Sequence, residues 1–130
     1  MKKTLLFLII LFHFSQKAQS QEYKEHLTVI NTFLETFDNG YYGPLSVDDI
    51  YLYCNIKGNR QSKIIISEIS KANVVTPQKE VKIQCKNANC VTGVTGDMYD
   101  SLTFRTDLSG FDTENFALLL NLLIDSLRNR

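Results

Sequence analysis

Little in this sequence is equipped for chemistry. It has two histidines, no tryptophan, no Gly-x-Ser-x-Gly elbow and no Cys-x-x-Cys pair. Without the elbow there is no strained turn to present a serine nucleophile. Without Cys-x-x-Cys the usual thiol redox layout is missing. One histidine, His13, falls in a leader described below. The other, His26, sits on the edge of an apolar helical stripe, where packing or exposure is its expected role. One histidine and three scattered cysteines are too few for a zinc site. Asp97, Asp100, Asp107, Asp112 and Glu114 lie close in sequence, but without the Asp-x-Asp-x-Asp-Gly spacing that wraps calcium they read as solvated loop residues. No enzyme, metal or cofactor is expected.

Also absent are repeats, low-complexity tracts and any apolar run long enough to cross a membrane. Residues 1–20 read as a cleaved signal peptide. Lys2 and Lys3 give the positive start, Leu5–Phe14 the apolar run, and Ala18-Gln19-Ser20 the small-residue cleavage site before Gln21. The run is about half of the ~20 residues a span requires, and no cysteine stands near the cleavage site to take a lipid. A periplasmic or secreted protein without a stable membrane anchor is expected, with residues 21–130 as a single domain. The leader removes three basic residues, leaving 11 against 14 acidic ones, a net charge of −3. Nucleic acid is a poor partner for such a surface, because phosphate binding needs a basic footprint.

Export permits a disulfide. Cys54, Cys85 and Cys90 allow three pairings and at most one bridge within the chain. Cys85 with Cys90 is favoured, because Lys86-Asn87-Ala88-Asn89 between them reads as a turn joining two strands. Cys54 then becomes a buried thiol.

The rest is a helix, a run of strands and a helix. From Glu22 to Asp38, Tyr23, Leu27, Ile30, Leu34 and Phe37 recur at helical spacing, with Phe33 widening the face. Asn39-Gly40 and Gly43-Pro44 break that pattern. Ile50–Ile56 alternates as a strand, placing Ile50, Leu52, Cys54 and Ile56 on one face and Tyr51, Tyr53 and Asn55 on the other. Lys57–Arg60 reads as a hairpin turn. Further strands are expected over 62–69, 72–75, 80–85, 90–94 and 101–106: Val81, Ile83 and Cys85 alternate with Lys82 and Gln84, Leu102 and Phe104 face inward, and the run Ile64-Ile65-Ile66 is too uniform to assign faces. Phe111–Arg130 closes the chain as a helix, with Asp112 as its cap and Phe111 and Phe116 as a hydrophobic staple. Phe116, Leu119, Leu120, Leu123, Ile124 and Leu127 form its apolar face. Asn121, Asp125 and Arg128 mark its wet side. Leu118 and Leu122 fall outside the stripe.

Short links between strands favour an antiparallel meander. The expected class is therefore α+β: an N-terminal helix, a bent antiparallel meander of about five or six short strands, and a closing C-terminal helix. This layout resembles the pleckstrin-homology-like architecture. A cystatin-like or NTF2-like sheet wrapped on the first helix is the alternative, since those folds also begin with a helix. The resemblance implies that a basic hairpin, here Lys57, Arg60 and Lys63, could grip an anionic headgroup; read from charge alone, the same residues simply keep a turn soluble.

Two apolar surfaces are the better leads. Leu118 and Leu122 are either covered by another part of the chain or form an exposed patch. Tyr51 and Tyr53 are either an interface or lie under the first helix. The function expected is a non-enzymatic module recognising another protein. A glycan- or lipid-binding domain is the first alternative and a structural envelope protein the second.

Overall fold

The computed structural model describes residues 22–37, 41–75, 79–105 and 110–130. Residues 22–37 form α1. The strands follow as β1 (Tyr42–Val47), β2 (Tyr51–Ile56), β3 (Arg60–Ile65), β4 (Ile69–Val75), β5 (Glu80–Cys85), β6 (Val91–Thr92), β7 (Met98–Tyr99) and β8 (Ser101–Arg105). A single 3-10 turn, Ile66–Glu68, separates β3 from β4, and α2 spans Gly110–Arg128.

All pairings are antiparallel, in a five-stranded sheet ordered β1-β2-β3-β6-β7 and a three-stranded sheet ordered β4-β5-β8. These eight segments are five passes of one meander, because β3 runs on into β4, β5 into β6, and β7 into β8. The last three passes are bent, so each contributes to both sheets. At the corner, the Ile65 N–H donates to the Cys90 carbonyl at 3.1 Å and the Lys86 N–H to the Glu68 carbonyl at 2.8 Å. The expected α+β layout, with its bent meander between two helices, is therefore the observed one.

The Cys85–Cys90 disulfide closes the corner, with Cα atoms 5.8 Å apart. Five extended residues would span roughly 17 Å, so residues 86–89 leave the strand and return to it. The expected strand-reversing turn is instead an excursion within one pass. Both cysteines keep their places in a chain that continues in the same general direction.

Alternation fills the core. Leu52, Cys54, Ile64, Val81, Ile83, Leu102 and Phe104 point inward and are buried. They meet Ile30 and Leu34 of α1 and Phe116, Leu120, Leu123, Ile124 and Leu127 of α2 in one cluster. The Phe104 and Phe116 rings meet edge-on at 5.1 Å, and Phe33 stacks on Phe116 at 5.7 Å. This contact joins the two helices above the sheets.

Two sheet edges are closed in the same way. A bulge interrupts β1 between Tyr42 and Leu45, and another interrupts β4 between Ile69 and Ala72. Gly43-Pro44 lies inside the first bulge, so a pair expected to break the chain bends a strand instead. Just past each bulge a helical asparagine takes both backbone groups of one residue. Asn31 of α1 accepts from the Leu45 N–H at 2.7 Å and donates to its carbonyl at 3.0 Å. Asn121 of α2 does the same for Ala72, at 2.8 and 3.0 Å. A side-chain amide thus stands in for the next strand and removes the exposed pairing groups of an edge.

Several local expectations change. Asn121 is docked against β4, and Arg128 donates to the Ser70 carbonyl, so two residues expected on the wet side of α2 pin it to the sheet. Ile50 lies in the turn before β2 and is 58% exposed, and Phe37 is 50% exposed despite its place in the α1 stripe. The helix α2 starts at Gly110, which puts Asp112 in its first turn rather than before it. The proposed Phe111 staple lies outside the described side chains, as do residues 1–20 with their expected leader.

Candidate functional site

The outer face of the five-stranded sheet carries the two tyrosines. Register places Tyr53 opposite Lys63 and Lys63 opposite Thr92, so these side chains share the face away from the core. The helix α1 packs with Leu52 and Cys54 on the inner side and does not lie over Tyr51 or Tyr53. Both are half-buried. Their rings are 5.9 Å apart, and the Lys63 ammonium sits 4.3 Å from the Tyr51 centroid. Below them, Asp48 organises the β1–β2 turn. Its Oδ1 accepts from the Ile50 and Tyr51 N–H groups at 2.9 and 2.6 Å, and its Oδ2 accepts from the Tyr53 hydroxyl at 2.6 Å. The Tyr53 hydrogen bond, followed by the two backbone donors, holds the Asp48 carboxyl below its ordinary value of 3.8. The same hydrogen bond pushes the Tyr53 phenol above its ordinary 10.0. The tyrosine pair is therefore a restrained platform with one hydroxyl already engaged.

The three cations of the first hairpin do not act together. Lys57 and Arg60 line a groove of about 780 Å³ between α1, the start of β1 and the β2–β3 turn, with Glu35, Tyr41, Asn55 and Gln61. Lys63 lies on the tyrosine face instead, because it falls on the other side of the alternation. Gly58 and Asn59 take left-handed backbone, φ 89° and 58°, and so set the tight turn that brings Lys57 and Arg60 to the groove. Neither cation forms an ion pair among the described residues. The Arg60 Nε donates to the Lys57 carbonyl at 3.1 Å. An amide relay runs along the groove wall, from Gln61 to Asn55 at 2.8 Å and from Asn55 to the Pro44 carbonyl at 2.6 Å. Tyr41 contributes an exposed ring. This groove, one of the concave features of the molecule, was not legible as a unit, because Glu35, Tyr41 and Gln61 come from three elements.

No family model matches the chain, and no curated protein or solved structure does either.

The remaining candidates fall as follows. Leu118 and Leu122 stand one turn apart on the back of α2, 58% and 41% exposed. No other described part of the chain covers them. Cys54 has no disulfide and is buried opposite Ser62. His26 lies 3.6 Å from Glu22 within α1. Among the described residues no group of three or more His, Cys, Asp or Glu side chains could hold a metal ion. No helix among them is long and apolar enough to cross a membrane.

Proposed function

We propose that this chain is an exported, non-enzymatic binding module that recognises another protein. The observation that carries this reading is the Leu118–Leu122 pair, which stays on the outside of a helix whose other face supplies six buried apolar residues to the core. A helix serving only the core gains little more than helix propensity from two leucines on its back, whereas a helix that also meets a partner gains buried contact. The corner disulfide fits an oxidising compartment, which supports the periplasmic or secreted location read from the leader.

The test is affinity capture from the source organism's envelope fraction, using the processed protein and its Leu118→Lys, Leu122→Lys double variant. The wild type is expected to retain one stoichiometric protein that the variant loses, while both keep the same circular dichroism spectrum. Unfolding of the variant would return both leucines to the core and remove the interface.

A second reading rests on the groove. Two cations without an ion pair among the described residues, a carboxylate, an amide relay and an exposed tyrosine suit a small polar ligand such as a glycan or a phosphorylated headgroup. Binding in a glycan and lipid panel that is lost with Arg60→Ala or Tyr41→Ala would support it over protein recognition.

A further inference from the structure

The bent pass β7–β8 is the edge that no asparagine closes among the described residues, with the Tyr42 hydroxyl capping only its last outward N–H, that of Arg105. The other two edge strands, β1 and β4, are each bulged and closed by an asparagine. Residues Met98–Arg105 form the far edge of both sheets. The Arg105 N–H donates to the Tyr42 hydroxyl at 2.9 Å rather than to β5, which makes Glu80↔Arg105 a non-hydrogen-bonded pair. The antiparallel alternation then directs the N–H and C=O groups of Thr103 and Ser101 out of the sheet, and those of Leu102 and Phe104 toward β5. The Cys85 N–H bond to the Asp100 carbonyl, 2.9 Å, fits the same phase. Among the described residues nothing pairs with the outward groups of Ser101 and Thr103.

Two further observations fall on this edge. Val94, Met98 and Tyr99, three of the exposed large apolar residues, belong to the β6–β7 hairpin, each nearly half exposed, with Met98 opposite Thr92 on the outer face and Tyr99 opposite Val91 on the inner one. Tyr99 is held there by close packing on Gly93, where an added Cβ would come within 2.7 Å of the ring. Asp97 and Asp100 are exposed beside them and form no ion pair among the described residues. Antiparallel pairing of a second copy centred on Ser101 and Thr103 would set Asp100 opposite Phe104 and leave the carboxylate without a cation. A basic strand would neutralise both carboxylates.

We infer that the β7–β8 edge docks an extended segment of a partner protein by strand addition, taking a segment that combines apolar residues with lysine or arginine. Main-chain pairing at Ser101 and Thr103 supplies affinity, and the exposed Met98 with Asp97 and Asp100 supplies selectivity. This rests on the protein-recognition reading but uses a surface separate from Leu118 and Leu122.

The test is selection of a randomised linear heptapeptide library against the processed protein, followed by amide hydrogen exchange. Enriched peptides are expected to carry lysine or arginine among apolar residues and to slow exchange at Ser101 and Thr103 at least tenfold. Thr103→Pro removes one outward donor that has no partner among the described residues, and should weaken peptide binding at least tenfold. Asp97→Lys with Asp100→Lys should do the same without touching the backbone, and decides the matter if the proline variant does not fold. The inference is overturned if no peptide is enriched, if peptides protect other amides, or if Thr103 is protected by self-association without peptide. An empty library together with capture that depends on Leu118 and Leu122 would sink the edge and leave the binding module standing. Failure of both would remove both.

Discussion

The pairs α1–β1 and α2–β4 solve one problem with the same device and unequal weight. In each, a bulged edge strand is closed by one asparagine amide. Behind that contact α2 sinks Phe116, Ala117, Leu120, Leu123, Ile124 and Leu127 into the core, whereas α1 fully buries only Ile30 and Leu34. Hydrogen-bonding geometry is thus independent of how much apolar area lies behind it. The α2 edge is the keystone, and α1 is a lighter cover whose Val29 and Phe37 stay about half exposed.

That contrast yields a graded set of expected outcomes. Leu120→Ala empties a fully buried site beneath α2 and should cost about 2–5 kcal/mol, read as the shift in urea midpoint. A loss no larger than that of an exposed substitution would show that α2 is not the keystone. Asn121→Ala strands the N–H and C=O of Ala72, itself buried, and should cost roughly 1–3 kcal/mol. Asn31→Ala strands the same groups at Leu45. Equal losses in chemical denaturation would mean that the amide device works independently of the packing around it. Reducing the Cys85–Cys90 bridge, or replacing both cysteines by serine, should cost about 2 kcal/mol on a loop-entropy estimate for this short loop. Thermal melting with and without reductant measures that effect, and a null result would place the rigidity of the corner in its backbone hydrogen bonds.

The smallest effects belong to the surface. Leu118→Lys should change stability by no more than about 0.5 kcal/mol, checked by the same denaturation curves. For Asp48, the lowered carboxyl pKa means that its stabilisation is fully present above 3.8 and is lost as pH falls from there through the lowered folded value. Asp48→Asn should flatten the acid limb of a stability-versus-pH curve below pH 3.8, and an unchanged limb would show that the Asp48–Tyr53 bond does not couple to folding.

Legibility followed the range of the interaction. Leu52, Cys54, Val81, Ile83, Leu102 and Phe104 were assigned inward by alternation alone, and each is buried. The favoured Cys85–Cys90 bridge is present, although the strand-reversing turn that favoured it is an excursion within one pass. Strand β1 was missed because Gly43-Pro44 signals a break, and only the partner strand β2 turns that break into a bulge. The uniform run Ile64-Ile65-Ile66 gave no faces, since the chain bends within it. On the candidate sites, the exposure of Leu118 and Leu122 was left open, and the grouping of Lys57, Arg60 and Lys63 divided between two surfaces.

Local periodicity, turn residues and cysteine spacing therefore determined both helices, every strand but β1 and β7 and most inward faces, and narrowed the bridge, because each depends on neighbours a few residues apart. Tertiary structure decided what those elements meet. Asn121 reads as a solvent residue by its place on the helical wheel, yet it closes the β4 edge 49 residues away in sequence. Nothing local distinguishes a polar residue facing water from one facing a strand's unpaired N–H and C=O. The difference lies in which backbone the fold brings beside it.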